Sequence, residues 1–160
     1  MSGGEGSRGG AGPGKVAVVD TSVVLFIHYR EPPAPLAETI LDRLHTHGYK
    51  IVYPPIVEQE ILQRESKALS TLSSIASRMK VNIERSFAAK VDSWIFWLEA
   101  APECSRRERR PLYCGVGRGD IAVSLSTPIR DGILVTGDRG LACMHAALRR
   151  GKALLIPYTL

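Results

Sequence analysis

Lys15-Val-Ala-Val-Val-Asp20 is a short apolar run that ends in an aspartate, and Ile133-Leu-Val-Thr-Gly-Asp138 is a second such run near the other end of the chain. Both read as β-strands. In an open α/β sheet the binding crevice lies outside the carboxyl ends of the strands. Asp20 and Asp138 are therefore placed where a crevice forms. Two carboxylates that converge there repel each other unless a cation lies between them. The pair favours chemistry with a hard divalent metal.

Working outward, Ser22–Ile27 predicts a helix turn that Glu31-Pro-Pro-Ala-Pro35 breaks. Leu36, Ile40, Leu41 and Leu44 have helical spacing, so a helix is expected over Leu36–His47, stopping at Gly48. Lys50–Tyr53 predicts a second strand, and Pro54-Pro55 opens a helix, because proline is tolerated in the first turn. Helix is predicted over Ile56–Lys80, with a weak break in the Ser-rich stretch Ser70–Ser77, and again over Glu84–Ala100. Pro102–Gly119 reads as a loop in which Gly115-Val-Gly117-Arg-Gly119 is a flexible hinge. A helix starting at Asp120 ends near Pro128, and Asp131-Gly132 turns the chain into the strand Ile133–Val135. A helix over Arg139–Arg150 closed by Gly151, and a last strand over Ala153–Ile156, complete the series. This βαβ rhythm implies a parallel sheet flanked by helices.

A chain of 160 residues, 44% apolar, forms one domain with an ordinary core. Residues 1–14, mostly Gly and Ser, bury nothing and are expected to be a disordered tail ahead of a folded domain at 15–160. The net charge is +5, and Glu5 and Arg8 cancel within the tail. The positive excess thus belongs to the domain and favours an anionic partner, nucleic acid foremost. Cys104, Cys114 and Cys143 make an odd count without a C-x-x-C pair, which argues against a disulfide framework or a zinc site. Cys114 and Cys143 read as small buried hydrophobes. No apolar run approaches the roughly 20 residues that span a bilayer, and no leader-like segment opens the chain. A cytoplasmic protein without a membrane partner is expected.

Four acids carry the chemical interest: Asp20, Glu60, Asp120 and Asp138. Each has a plain explanation. The three aspartates stand before helices, where an Asp N-cap contributes about 1 kcal/mol. Glu60 alone would be a solvated helix residue. Together the pattern is different, because two of the caps also end strands. Helical geometry does not choose between Glu58 and Glu60, which border the apolar face of Ile56, Val57, Ile61 and Leu62 from opposite sides.

With these residues in view, the chain resembles the PIN domain, a family with many ribonucleases, VapC-type toxins among them. The resemblance rests on four pieces in order: Val-Val-Asp20-Thr21-Ser22; Pro55-Ile-Val-Glu-Gln-Glu60-Ile61; Gly119-Asp120-Ile-Ala122; and Leu134-Val-Thr-Gly-Asp138-Arg-Gly-Leu141. It covers about Lys15 to Leu160. The family's acid directly precedes an apolar residue, so the resemblance selects Glu60 over Glu58. It implies a three-layer α/β/α sandwich around a central, mostly parallel sheet. It implies endoribonuclease activity that leaves a 5′ phosphate, with Mg²⁺ or Mn²⁺ as cofactor. Asp20 and Asp138 would be direct ligands, and Glu60 and Asp120 direct or water-mediated ones. Thr21 and Thr136 would hydrogen-bond a ligand or a metal water, or else serve as turn and cap residues. Hard cations of this kind take oxygen ligands in octahedral geometry. Nothing acidic follows Asp138, where some members carry a further acid. The family also implies a homodimer paired through helices, here through Leu36–Leu44 or the helix of Trp94 and Trp97. For a toxin it implies an antitoxin protein as partner.

RNA contact falls to the basic residues Arg118 and Arg139 beside the acids and to the loop of Arg106, Arg107, Arg109 and Arg110. Phosphate contacts of this type supply sequence-independent affinity; the plain alternative is a solvated loop diluted by Glu103 and Glu108. Two functions follow from the sequence. One is a metal-dependent endoribonuclease, acting as a toxin or as a stand-alone RNA-processing enzyme. The other is a catalytically inactive RNA-binding or assembly module on the same fold. Receiver and dehalogenase phosphotransfer domains also place Asp at a strand end, but the latter need a second Asp where this chain has Ser22.

Overall fold

The computed structural model describes residues 14–76 and 118–158. The helix expected over Glu84–Ala100, with Trp94 and Trp97, and the loop of Arg106, Arg107, Arg109 and Arg110 lie outside the described residues. Within them the chain is α/β. Four strands, β1 (Val16–Val19), β2 (Lys50–Val52), β3 (Gly132–Thr136) and β4 (Lys152–Leu155), form one all-parallel sheet in the order β2-β1-β3-β4. Ala17 pairs with Ile51 on one side and Ile133 on the other, and Thr136 pairs with Leu155. Inner parallel strands are covered on both faces, so they require unbroken apolar runs. Val16, Ala17, Val18 and Val19 provide one, and all four are buried. Edge strand β4 is only partly buried.

The strand order fixes where a crevice can form. From β1 the chain moves outward to β2, then returns past β1 to β3 and continues to β4. The reversal makes the space beyond the carboxyl ends of β1 and β3 a topological switch point, the position at which such sheets bind ligands. Asp20 directly follows β1, and Asp138 follows β3 by one intervening residue.

Six α-helices surround the strands among the described residues: α1 (Thr21–His28), α2 (Ala34–Thr46), α3 (Pro55–Arg64), α4 (Leu69–Ile75), α5 (Arg118–Leu125) and α6 (Arg139–Arg149). α1 starts directly after Asp20 and is a full helix instead of a single turn. α2 starts before Leu36, because Pro33 and Pro35 fit the cap and first turn of a helix. Its stripe of Leu36, Ile40, Leu41 and Leu44 packs on the chain's own core. The helix expected over Ile56–Lys80 is interrupted within Ser70–Ser77, where α4 ends at Ile75 and Ala76 is extended, and also at Glu65 (φ −160°, ψ 88°), whose side chain accepts from Lys67 N to cap a 3-10 turn, Ser66–Ala68. Gly119 is not a hinge: α5 begins at Arg118 and contains it. Cys143, buried on α6, is disulfide-bonded rather than merely a small hydrophobe, and Cys104 and Cys114 lie outside the described residues.

α5 packs between α3 and α6. Its seam with α6 is polar although buried. Ser124, Ser126, Thr127 and His145 are all inside the protein. Ser126 and Thr127 return their hydroxyl protons to the carbonyls of Ala122 and Val123. His145 Nδ1 lies 2.7 Å from Ser124 Oγ. Burial, with a smaller contribution from the charge of Arg149, lowers the His145 pKa to about 4.

A depressed folded-state pKa favours the neutral imidazole. The stability it contributes is complete above the unfolded pKa of about 6.5 and is lost as pH falls from there through about 4. Urea unfolding of the wild type and of His145→Asn across pH 7.5 to 4 should diverge by about 3 kcal/mol, with the wild type the steeper. Parallel curves would mean that His145 titrates alike in the folded and unfolded protein.

Candidate active site at the switch point

Asp20 is the centre of the crevice. It is buried, at 6% exposure, because it continues the central strand: its own N–H still bonds Val135 O at 3.0 Å. It occupies the N-cap position of α1, yet its side chain makes no capping bond. The carboxylate instead accepts two hydroxyls on one oxygen. Ser22 Oγ donates to Oδ2 at 2.9 Å and Thr136 Oγ1 donates to it at 2.8 Å.

The direction of those protons follows from the neighbouring turn. Gly137 N donates to Ser22 Oγ at 2.9 Å, and Asp138 N donates to Thr136 Oγ1 at 3.0 Å. A backbone N–H can only donate, so each hydroxyl accepts from the turn and passes its own proton on to Asp20. Two adjacent peptide N–H groups are thereby relayed to one carboxylate. Burial nonetheless raises the Asp20 pKa; the two hydroxyl bonds oppose that shift, and the nearby negative charge of Glu60 adds to it.

Glu60 enters from α3. Thr21 Oγ1 donates to Glu60 Oε1 at 2.5 Å, the short length of a charge-assisted bond. Of the two acids that helical spacing left open, Glu60 is the one the structure sets beside Thr21 and Asp20. Its second oxygen faces α5. A Cβ added at Gly119 would lie 2.6 Å from Glu60 Oε2, so any other residue there would make the Glu60 carboxylate shift. Asp120, the next residue, is half-buried in the first turn of α5.

Asp138 behaves partly as the plain reading expects. It N-caps α6, with Oδ1 accepting from Leu141 N at 3.1 Å. Arg139 and Arg118 are the first residues of α6 and α5, beside the two aspartates. Sequence reasoning had no role for Ser22 and misread Gly119. The signal for Ser22 was a hydroxyl two residues beyond a strand-end Asp. Nothing in the sequence pointed to the Gly119–Glu60 approach, which joins residues 59 positions apart.

Among the described residues no group of three or more His, Cys, Asp or Glu side chains is arranged to hold a metal ion. What is present is a coupled pair, Asp20 and Glu60. A pair is enough for the hard ion expected, since Mg²⁺ is commonly bound through one or two carboxylates while keeping several waters. The donor set therefore fits such an ion in a partly hydrated form.

A raised pKa means that ionised Asp20 destabilises the cation-free protein once pH rises through that value. Asp20→Asn should accordingly raise the thermal midpoint of chelator-treated protein at pH 7.5. Excess Mn²⁺ should raise the midpoint of the wild type, by about 2.7 kcal/mol of stability at a hundredfold excess over Kd, and leave Asp20→Asn unmoved. An equal response in both proteins would remove Asp20 from the binding site.

Compared with models of protein families and with curated proteins, the chain matches none.

Proposed function

We propose that this chain is a divalent-metal-dependent endoribonuclease with a PIN-like three-layer α/β/α fold. The observation that supports the reading most is the buried, hydroxyl-held carboxylate of Asp20 with Glu60 beside it, at the switch point of a parallel sheet. Two acids drawn together, with burial disfavouring the charge of Asp20, are an arrangement that a cation would relieve.

Mg²⁺ or Mn²⁺, when bound, would supply Lewis acidity toward a phosphodiester and lower the pKa of water. The protein's part is to hold oxygen donors in place. Thr136 and Ser22 fix the rotamer of Asp20, and Thr21 fixes that of Glu60. Asp120 and Asp138, at the starts of α5 and α6, would add to these donors. Arg118 and Arg139 begin these two helices, whose amino ends carry partial positive charge, so both favour an RNA phosphate near the carboxylates. The basic loop of Arg107, Arg109 and Arg110 would extend that track. The same site would suit a toxin restrained by an antitoxin or a stand-alone processing enzyme.

A second reading has its own support. Asp138 spends one oxygen on a helix cap, and no three acids are grouped for a metal among the described residues. An RNA-binding module without turnover would need no more than this.

RNA cleavage by the purified protein with Mn²⁺ or Mg²⁺, set against EDTA and against Asp20→Asn, tests the proposal. Loss of cleavage in both controls is expected; RNA binding that persists in EDTA without cleavage would favour the module. Thr136→Val removes a hydroxyl that holds a ligand but no ligand, and should cost about 10- to 100-fold in activity. Gly119→Ala should leave helix content intact. It should nonetheless cost on the order of 10²-fold in activity by pushing the Glu60 carboxylate out of position. Wild-type activity in that variant would mean that the Glu60 side chain accommodates the added methyl group without leaving its working position.

A further inference from the structure

α5 poses a packing problem. From Ile121 to Thr127 every residue is buried, so the helix and its exit lack the contrast between an apolar and a wet face that ordinarily sets helix rotation. Burial alone holds it in place without selecting its angle. The angle matters, because Asp120 sits in its first turn. For a carboxylate about 6 Å from the helix axis, a turn of roughly 20° moves it by about 2 Å.

The polar seam supplies the missing direction. Ser124 lies four residues after Asp120, on the same side of α5. His145 and Arg149 lie four residues apart on α6 and converge on it. His145 Nδ1 is 2.7 Å from Ser124 Oγ; Arg149 Nη1 donates to Ser124 O, and to Thr127 O at 3.1 Å. His145 is wholly buried, and its other nitrogen, Nε2, has no hydrogen-bond partner. Gly151 packs so closely on that nitrogen that a Cβ there would lie 2.2 Å from it, while Gly151 N bonds back to His145 O at 3.3 Å. A buried polar atom without a partner is unfavourable, and an aliphatic side chain of similar volume would avoid it. The imidazole therefore gives something that apolar packing does not.

We propose that His145 and Arg149 are positioning residues, which pin the rotation of α5 through Ser124 and so set Asp120 relative to Asp138 at the start of α6. Both acids then hang from one locked pair of helices, with the lock one to two turns below the crevice. The inference rests on the reading of Asp120 and Asp138 as site residues.

The test uses His145→Leu, which keeps volume and removes the bond, and His145→Asn, whose amide can occupy the Nδ1 position. Ser124→Ala removes one hydroxyl and serves if the leucine variant fails to fold. Amide hydrogen exchange over residues 121–126 and Mn²⁺ affinity are measured in each, alone and combined with Asp120→Asn. His145→Leu and Ser124→Ala should speed exchange in α5 but not in β1 or β3. They should weaken Mn²⁺ binding about tenfold, with recovery in His145→Asn and no further loss in the Asp120→Asn background. Wild-type exchange in α5, or equal Mn²⁺ losses with and without Asp120, would overturn the proposal. If Asp120→Asn alone leaves Mn²⁺ affinity unchanged, the ligand set of the proposed function fails, while the exchange data still decide whether the seam pins α5.

Discussion

The carboxylate of Asp20 is inside the protein because the strand before it is central, parallel and covered on both faces. A charge in that position cannot stay without partners. The partners come from the neighbouring strand and its exit turn, through Thr136 and Ser22, each of which relays a peptide N–H of the 137–138 turn to the same oxygen. This network ties β1, α1, β3 and the start of α6 into one unit. Any change in the alignment of β1 with β3 would break it. The candidate site is thus a consequence of strand register, and its geometry is as rigid as the sheet.

The helices add a second layer of constraint. The Glu60 carboxylate lies where α3 and α5 meet at a glycine, and it is fixed by the hydroxyl that follows Asp20. α5 in turn is held between α3 and α6. Two acids far apart in sequence, Asp20 and Glu60, are drawn together from separate elements. Repulsion between them is tolerated because strand pairing and helix packing outweigh it. Such a balance, in which local groups disfavour what the whole structure enforces, is characteristic of functional sites.

Much of the scaffold was legible in the sequence. Unbroken apolar runs, proline at helix starts and the Asp-Gly turn marked strands and helices within a few residues. The deviations have physical causes. The proline-rich segment before α2 fitted a cap and first turn, so the helix extended backward into it. The helix after Pro55 broke not only in the Ser-rich stretch, where it ends at Ile75, but also at Glu65, where a side-chain cap supports a 3-10 turn. The apolar stripe of α2, which could have served a dimer, is used on the chain's own core.

The sequence by itself determined that Asp20 and Asp138 end inner strands, because strand burial is written in consecutive apolar residues. It could not determine which acids meet. Periodicity describes one element at a time, and Glu58 and Glu60 are equivalent on an isolated helix. The choice between them depends on where α3 lies against Thr21 and Gly119, contacts that span 39 and 59 positions of sequence. The His145–Ser124 seam was hidden for the same reason. A histidine and a serine on separate helices carry no shared signal until packing buries them together and leaves each the other's nearest hydrogen-bond partner. Tertiary structure decided these pairings because hydrogen bonding and desolvation act over a few ångströms of space, whatever the separation along the chain.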